Sequence, residues 1–101
     1  MKVILADPAK EELENGKTYY ELEQKGLGEI FEEEVKIGIK LITKYPYSWP
    51  EMREGIKKFI LHKFPYKIIY SIEKDIILVL AIAHQHQKPD YWVDRIQDKK
   101  E

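Results

Sequence analysis

The sequence contains no cysteine. That excludes a disulfide framework, a thiolate metal site and a cysteine nucleophile, and it fits a reducing compartment. Long apolar runs are missing too. The longest, Ile76 to Ala83, has 8 residues, against the roughly 20 that a membrane-spanning helix needs. Asp7, Lys10, Glu11 and Glu12 interrupt the N-terminal stretch before the apolar segment of a secretory signal could form. There is no internal repeat and no low-complexity linker. The chain is not strongly basic, with a net charge of −1 and a pI near 6.3. The reading is a single soluble domain over residues 1–101, expected in the cytoplasm.

What is present suffices for a folded core. At 44% hydrophobic and 35% charged residues, the composition argues against long disorder. A chain of this length buries about two-thirds of its extended surface. The near-zero net charge hides an asymmetry. Residues 1–55 hold 8 Lys/Arg against 12 Asp/Glu, whereas residues 56–101 hold 9 against 6. Between Ile56 and Ile72 stand Lys57, Lys58, His62, Lys63 and Lys67 with no acid. Such a bipolar chain offers one face able to attract phosphates, unless these are two ordinary solvated faces.

The pattern of apolar residues predicts the order β-α-α-β-β-β. Lys2 to Ala6 is β-prone. Asp7-Pro8 reads as a helix start, with Asp7 as the cap and Pro8 at the first helical position. Ala9, Leu13, Gly16 and Tyr20 follow one helical face, and after Gly26 and Gly28 the same period returns in Leu27, Phe31, Val35, Gly38, Ile42 and Tyr45. Glu32, Glu33 and Glu34 fall on the wet side of this hairpin. Pro46 ends the second helix, and a proline-aromatic loop, Tyr45-Pro46-Tyr47-Ser48-Trp49-Pro50, follows. Gly55 to His62 alternates, with Lys58, Ile60 and His62 on one side and Lys57, Phe59 and Leu61 on the other. Tyr66–Ile72 and Ile76–Ala83 flank the polar turn Glu73-Lys74-Asp75 as an antiparallel hairpin. The unbroken apolar run of the last strand predicts a central position covered on both faces. Asp90 is expected to cap a short final helix through Arg95, and the tail Asp98–Glu101 to fray. The fold class is α+β, a helical hairpin on a mainly antiparallel four-stranded sheet.

Taken together, several short words in this order resemble the RelE/ParE superfamily of toxins, which includes plasmid stabilisation proteins. They are Gly26-Leu27-Gly28 between the helices, the Tyr-Pro-Tyr-Ser-Trp-Pro loop, and Lys63-Phe64-Pro65-Tyr66-Lys67-Ile68-Ile69-Tyr70. The strand end Ala81-Ile82-Ala83-His84 running into Lys88-Pro89-Asp90-Tyr91-Trp92 and Arg95 completes the set. The resemblance covers nearly the whole chain. It implies a toxin of a type II toxin–antitoxin module, held inactive by a cognate antitoxin that wraps its surface, with a homodimer or a heterotetramer with antitoxin as possible assemblies. Members diverge in target. RelE-like toxins cleave mRNA on the ribosome without a metal or cofactor, whereas ParE-like toxins inhibit DNA gyrase without cutting RNA. A third outcome is a toxin fold that retains only antitoxin binding. Of the three, the ribosome-dependent endoribonuclease is the expected mechanism, with the other two as alternatives.

Metal-free RNA cleavage needs a group to take the 2′ proton, cations for the charge growing on phosphate, and an acid for the leaving oxygen. Carried onto this chain, the RelE-like pattern places Lys58 at a strand lysine, Lys67 at a strand arginine and Tyr91 at the C-terminal tyrosine. Gln87 stands where RelE-like toxins hold an important arginine, and a neutral amide cannot replace a guanidinium fork. His86 or Lys88 are the candidates to compensate. The expected catalytic set is therefore Lys58, Lys67, His86, Lys88 and Tyr91. Arg53, Lys57, His62, Lys63 and Arg95 are the expected nucleic-acid contacts. Structural alternatives stand beside each. Arg53 is either a phosphate contact or a loop ion-pair partner, only one of Lys57 and Lys58 can line a shared site, and Tyr91 can equally be a packing aromatic. His84 and His86, with His62, form a weak metal-ligand pattern, the structural reading being a histidine bonded to backbone at a strand end.

Overall fold

The computed structural model describes residues 1–97; the expected fraying of Asp98–Glu101 lies outside the described residues. The chain runs β1 (Lys2–Leu5), α1 (Asp7–Glu23), α2 (Leu27–Lys44), β2 (Glu51–Arg53), β3 (Ile56–Ile60), β4 (Tyr66–Glu73), β5 (Ile76–His84) and α3 (Asp94–Gln97). The architecture is the expected α+β one, with a helical hairpin on a mainly antiparallel sheet. The sheet has five strands rather than four, in the order β1-β5-β4-β3-β2. The extra strand is β2, three residues folded back on β3. Gly55, at φ 77°, makes that reversal, and the Glu51 carboxylate accepts its N–H at 2.7 Å. Three residues show no alternation to read, so β2 was not expected.

β5 lies between β1, which it pairs in parallel, and β4, which it pairs antiparallel. It is an interior strand, second from the edge and next to the middle strand β4, and its place between two neighbours agrees with the unbroken apolar run. A bulge adds a second reason for that run. Ile69 pairs Ala81 but Tyr70 pairs Val79, so Leu80 is inserted. An extra residue shifts the alternation. Ile77, Val79 and Ile82 face the helices, whereas Leu80, Ala81 and Ala83 join the cluster on the opposite face.

The two helices cover one face of the sheet. Phe31, Val35 and Ile42 of α2 are fully buried, as their spacing predicts. Gly16 allows the hairpin to close, because a Cβ there would sit 2.5 Å from Phe31 Cε2. Glu21 accepts the N–H groups of Gly26 and Gly28 at 2.9 and 3.1 Å, which satisfies donors that a helix start leaves unpaired. Three local expectations need correction. Asp7 is the first helical residue and Ala6 the cap, because the Ala6 N–H is still held in the sheet by the Val79 carbonyl at 2.9 Å. Tyr45 leaves the buried face, at 47% exposure, because the chain departs from the helix there ahead of Pro46. Asp90 does not cap the last helix. It adopts φ 64° and lies 3.8 Å from Arg53, and α3 begins at Asp94.

On the other face the C-terminal segment lays Trp92, 1% exposed, across Ile56, Ile69, Leu80, Ala81 and Ala83. It covers only part of that face.

Candidate functional site

Where that cover stops, β3 and β4 present a cationic hollow of about 420 Å³. The register builds it. Lys58 pairs with Ile69 and Ile60 pairs with Lys67, so Lys58 and Lys67 are diagonal neighbours on one face of adjacent strands. The β3–β4 loop brings His62 and Lys63 to the rim, and Gln85 closes the end. Ile60, 61% exposed, forms an apolar patch among the cations. Among the described residues neither Lys58 nor Lys67 has an ion-pair partner, while Lys63 lies 3.8 Å from Glu34. A pair of unneutralised ammonium groups in a partly walled hollow attracts anions.

The remaining expected site residues are placed elsewhere. Lys57 points to the helix side and donates to the Trp49 carbonyl at 3.0 Å, so it braces the proline-aromatic loop. Arg53 holds the Asp90 turn, the ion-pair alternative. Lys88 and Tyr91 line a small cleft beside the hollow, with Lys67 on the wall between them. His86 stacks on His84 at 5.2 Å and donates its backbone N–H to His84 Nδ1 at 3.0 Å. His84 also packs edge-on against Tyr66 at 5.0 Å. Burial, and secondly the neighbouring His86, lower the pKa of His84. Among the described residues no group of three or more His, Cys, Asp or Glu converges on a point.

Tyr91 and Arg95 belong to a cluster that sequence order conceals. Glu12 of α1 accepts the Tyr91 hydroxyl at 2.6 Å and both guanidinium nitrogens of Arg95 at 2.9 and 3.1 Å. Its Oε1 also accepts the Ile82 N–H at 2.9 Å, and Arg95 donates to the Leu80 carbonyl at 2.8 Å. The cause is the length of β1, whose pairing with β5 ends at Val79. Beyond it β5 has an open edge whose polar groups need partners, and Glu12 with Arg95 supplies them. Burial, then the hydrogen bond to Glu12, raises the pKa of the Tyr91 phenol well above its ordinary value. Such a phenol keeps its proton. Glu12 is the residue that sequence reasoning missed. It lies 79 and 83 residues from its partners, and nothing local marks it. Gln85 was also not singled out as lining, because only the chain path beyond β5, where its N–H meets the Pro65 carbonyl at 2.8 Å, brings it there.

Comparison with known proteins follows this geometry. A family model described as the ParE toxin of type II toxin–antitoxin systems, parDE, matches residues 3–89. A solved structure of the chromosomal ParDE toxin–antitoxin system from P. aeruginosa superposes with a TM-score of 0.75 at 14% identity, over 83% of this chain and 95% of that one. The isolated E. coli RelE toxin superposes with a TM-score of 0.63 at 13% identity, over 97% of each chain. At such identities these two likenesses concern the fold alone. A sequence search of curated proteins found no match. The matched stretch ends before Tyr91, Trp92 and Arg95.

Proposed function

The chain belongs to the ParE toxin family of type II toxin–antitoxin systems, and from that premise we propose that it inhibits DNA gyrase by binding, with no chemistry of its own. The observation that carries this reading is the engagement of Tyr91 and Arg95 by Glu12. An RNA-cleaving site needs a proton donor and a guanidinium-type clamp on phosphate. In this chain the Tyr91 phenol and the Arg95 guanidinium are held on a carboxylate at the edge of β5, position 87 carries an amide, and the phenol that lines the hollow, Tyr66, packs against Phe31 and His84. The hollow keeps lysines and a histidine, which attract anions.

The partner expected to silence the toxin is a cognate antitoxin protein. Tyr45, Tyr47 and Ile60 are 47%, 68% and 61% exposed, and a cleft lined by Leu41, Trp49, Phe59 and Ile60 adjoins them. Apolar surface of this kind suits a protein contact. No described helix is long and apolar enough to cross a membrane.

The hollow favours a second reading. Lys58, Lys67 and His62 face one space, which suits ribosome-dependent mRNA cleavage, with His86 or Lys88 as auxiliary groups. One experiment separates the two. Purified toxin freed of antitoxin is added to a gyrase supercoiling assay and, in parallel, to a translating extract. The expected result is loss of supercoiling with intact message. Cut message that Lys67→Ala leaves whole would establish the nuclease instead.

A further inference from the structure

On the helix side of the sheet a second hollow, of about 440 Å³, lies between α1 and the ends of β4 and β5. It is as large as the cationic one, it is within the usual size of small-ligand sites, and neither reading above uses it. Glu12, Asn15 and Tyr19 supply the α1 wall and share one helical face. Gly16 between them adds backbone to that wall, with the Phe31 ring packed against it. Tyr66, His84 and Gln87 supply the opposite wall.

The hydrogen-bonding groups of this hollow face solvent. Asn15, Tyr19 and Gln87 are exposed, and among the described residues no side chain of Asn15, Tyr19, Tyr66 or Gln87 bonds another residue, so a ligand can replace water on them. His84 Nδ1 accepts the His86 N–H, so the neutral ring carries its proton on Nε2. Charge, by contrast, is already satisfied, because Arg95 neutralises Glu12. Two carboxamides, two phenols and an imidazole N–H around an apolar floor call for a planar, uncharged group with several donors and acceptors. A nucleobase is such a group. Carboxamides match the N6/N7 edge of adenine, and aromatic rings stack bases whatever their sequence. The adjoining small cleft shares His84 and Gln87 with this hollow, and Lys67 and Lys88 are among its lining residues.

We propose that the hollow between α1 and β5 is an adenine nucleotide site, with the base on Asn15 and Gln87 against Tyr19 and Tyr66, and the phosphate toward Lys88 and Lys67. The ligand is either a free nucleotide or an unstacked adenosine of a single strand, and it does not depend on which target the toxin attacks.

The test is an NMR titration of the full-length protein with AMP, adenosine, inorganic phosphate and a short single-stranded oligoadenylate. AMP is expected to shift the amide signals of Asn15, Gly16, His84 and Gln87 with a Kd below about 1 mM. Adenosine should shift the same signals more weakly, and phosphate should not. The double substitution Asn15→Leu with Gln87→Leu changes exposed side chains and should leave the fold intact while lowering AMP affinity by about tenfold or more. Lys88→Ala should weaken AMP and spare adenosine. Tighter binding of the oligoadenylate at the same residues identifies a strand as the source; equal or weaker binding identifies the free nucleotide. The proposal is overturned if AMP shifts nothing in this hollow, if phosphate reproduces its shifts, or if the double variant binds AMP as tightly as the parent.

Discussion

The two faces of the sheet are covered in different ways. On the helix side Tyr20, Phe31, Phe64 and Tyr66 interlock with ring centroids 4.8–6.2 Å apart, under a hairpin that spans Asp7 to Lys44. On the outer side one short segment carries the cover, centred on Trp92 over small partners such as Ala81 and Ala83. The helical hairpin is long enough to cover its face except for the hollow at the ends of β4 and β5. The C-terminal segment is not, and β3 and β4 project Lys58, Ile60 and Lys67 where it stops. An open sheet surface must carry side chains that tolerate water. The cationic hollow is therefore a consequence of unequal cover, and the candidate chemistry sits at its edge.

Replacing the centre of the smaller cover should have the largest effect. Trp92→Ala is expected to cost about 3–5 kcal/mol, read from the midpoint of urea unfolding, much as Phe31→Ala should on the helix side. A cost under about 1 kcal/mol would mean that the outer face does not depend on its cover. Glu12→Ala comes next. It leaves Arg95 and Tyr91, both partly buried, without their carboxylate, and should cost about 2–3 kcal/mol, with Tyr91→Phe costing less. Hydrogen exchange of the Ile82 amide should quicken in Glu12→Ala, since its acceptor is gone. The smallest effect concerns His84. Its folded pKa lies below the ordinary histidine value of 6.5, chiefly through burial, so the unfolded chain takes up a proton first. The stability this contributes is complete above pH 6.5 and declines as the pH falls below it. His84→Gln should flatten that part of a melting-temperature profile.

Much of the frame was legible locally. The helical period of Phe31, Val35 and Ile42 marks a buried stripe that needs no partner to be recognised, and the apolar run of β5 announces a strand covered on both sides. The charge asymmetry located the cationic region, because Lys58 and Lys67 belong to the same acid-free stretch. Other features depend on contacts between distant residues. Arg95 reads as a free cation until Glu12 is seen against it, and nothing local to Tyr91 shows that its hydroxyl is bonded to Glu12. β2 is too short for a pattern, and the bulge at Leu80 is invisible inside a uniformly apolar run.

By itself the sequence determined where the helices lie, that the last strand is interior, and that the second half of the chain is cationic, since periodicity, burial preference and charge are properties of neighbouring residues. Only the tertiary structure decided which cations share a space and which are neutralised. That outcome turns on strand register and on where β1 ends, and a carboxylate from the first helix can reach an arginine of the last only after the sheet has brought the two together.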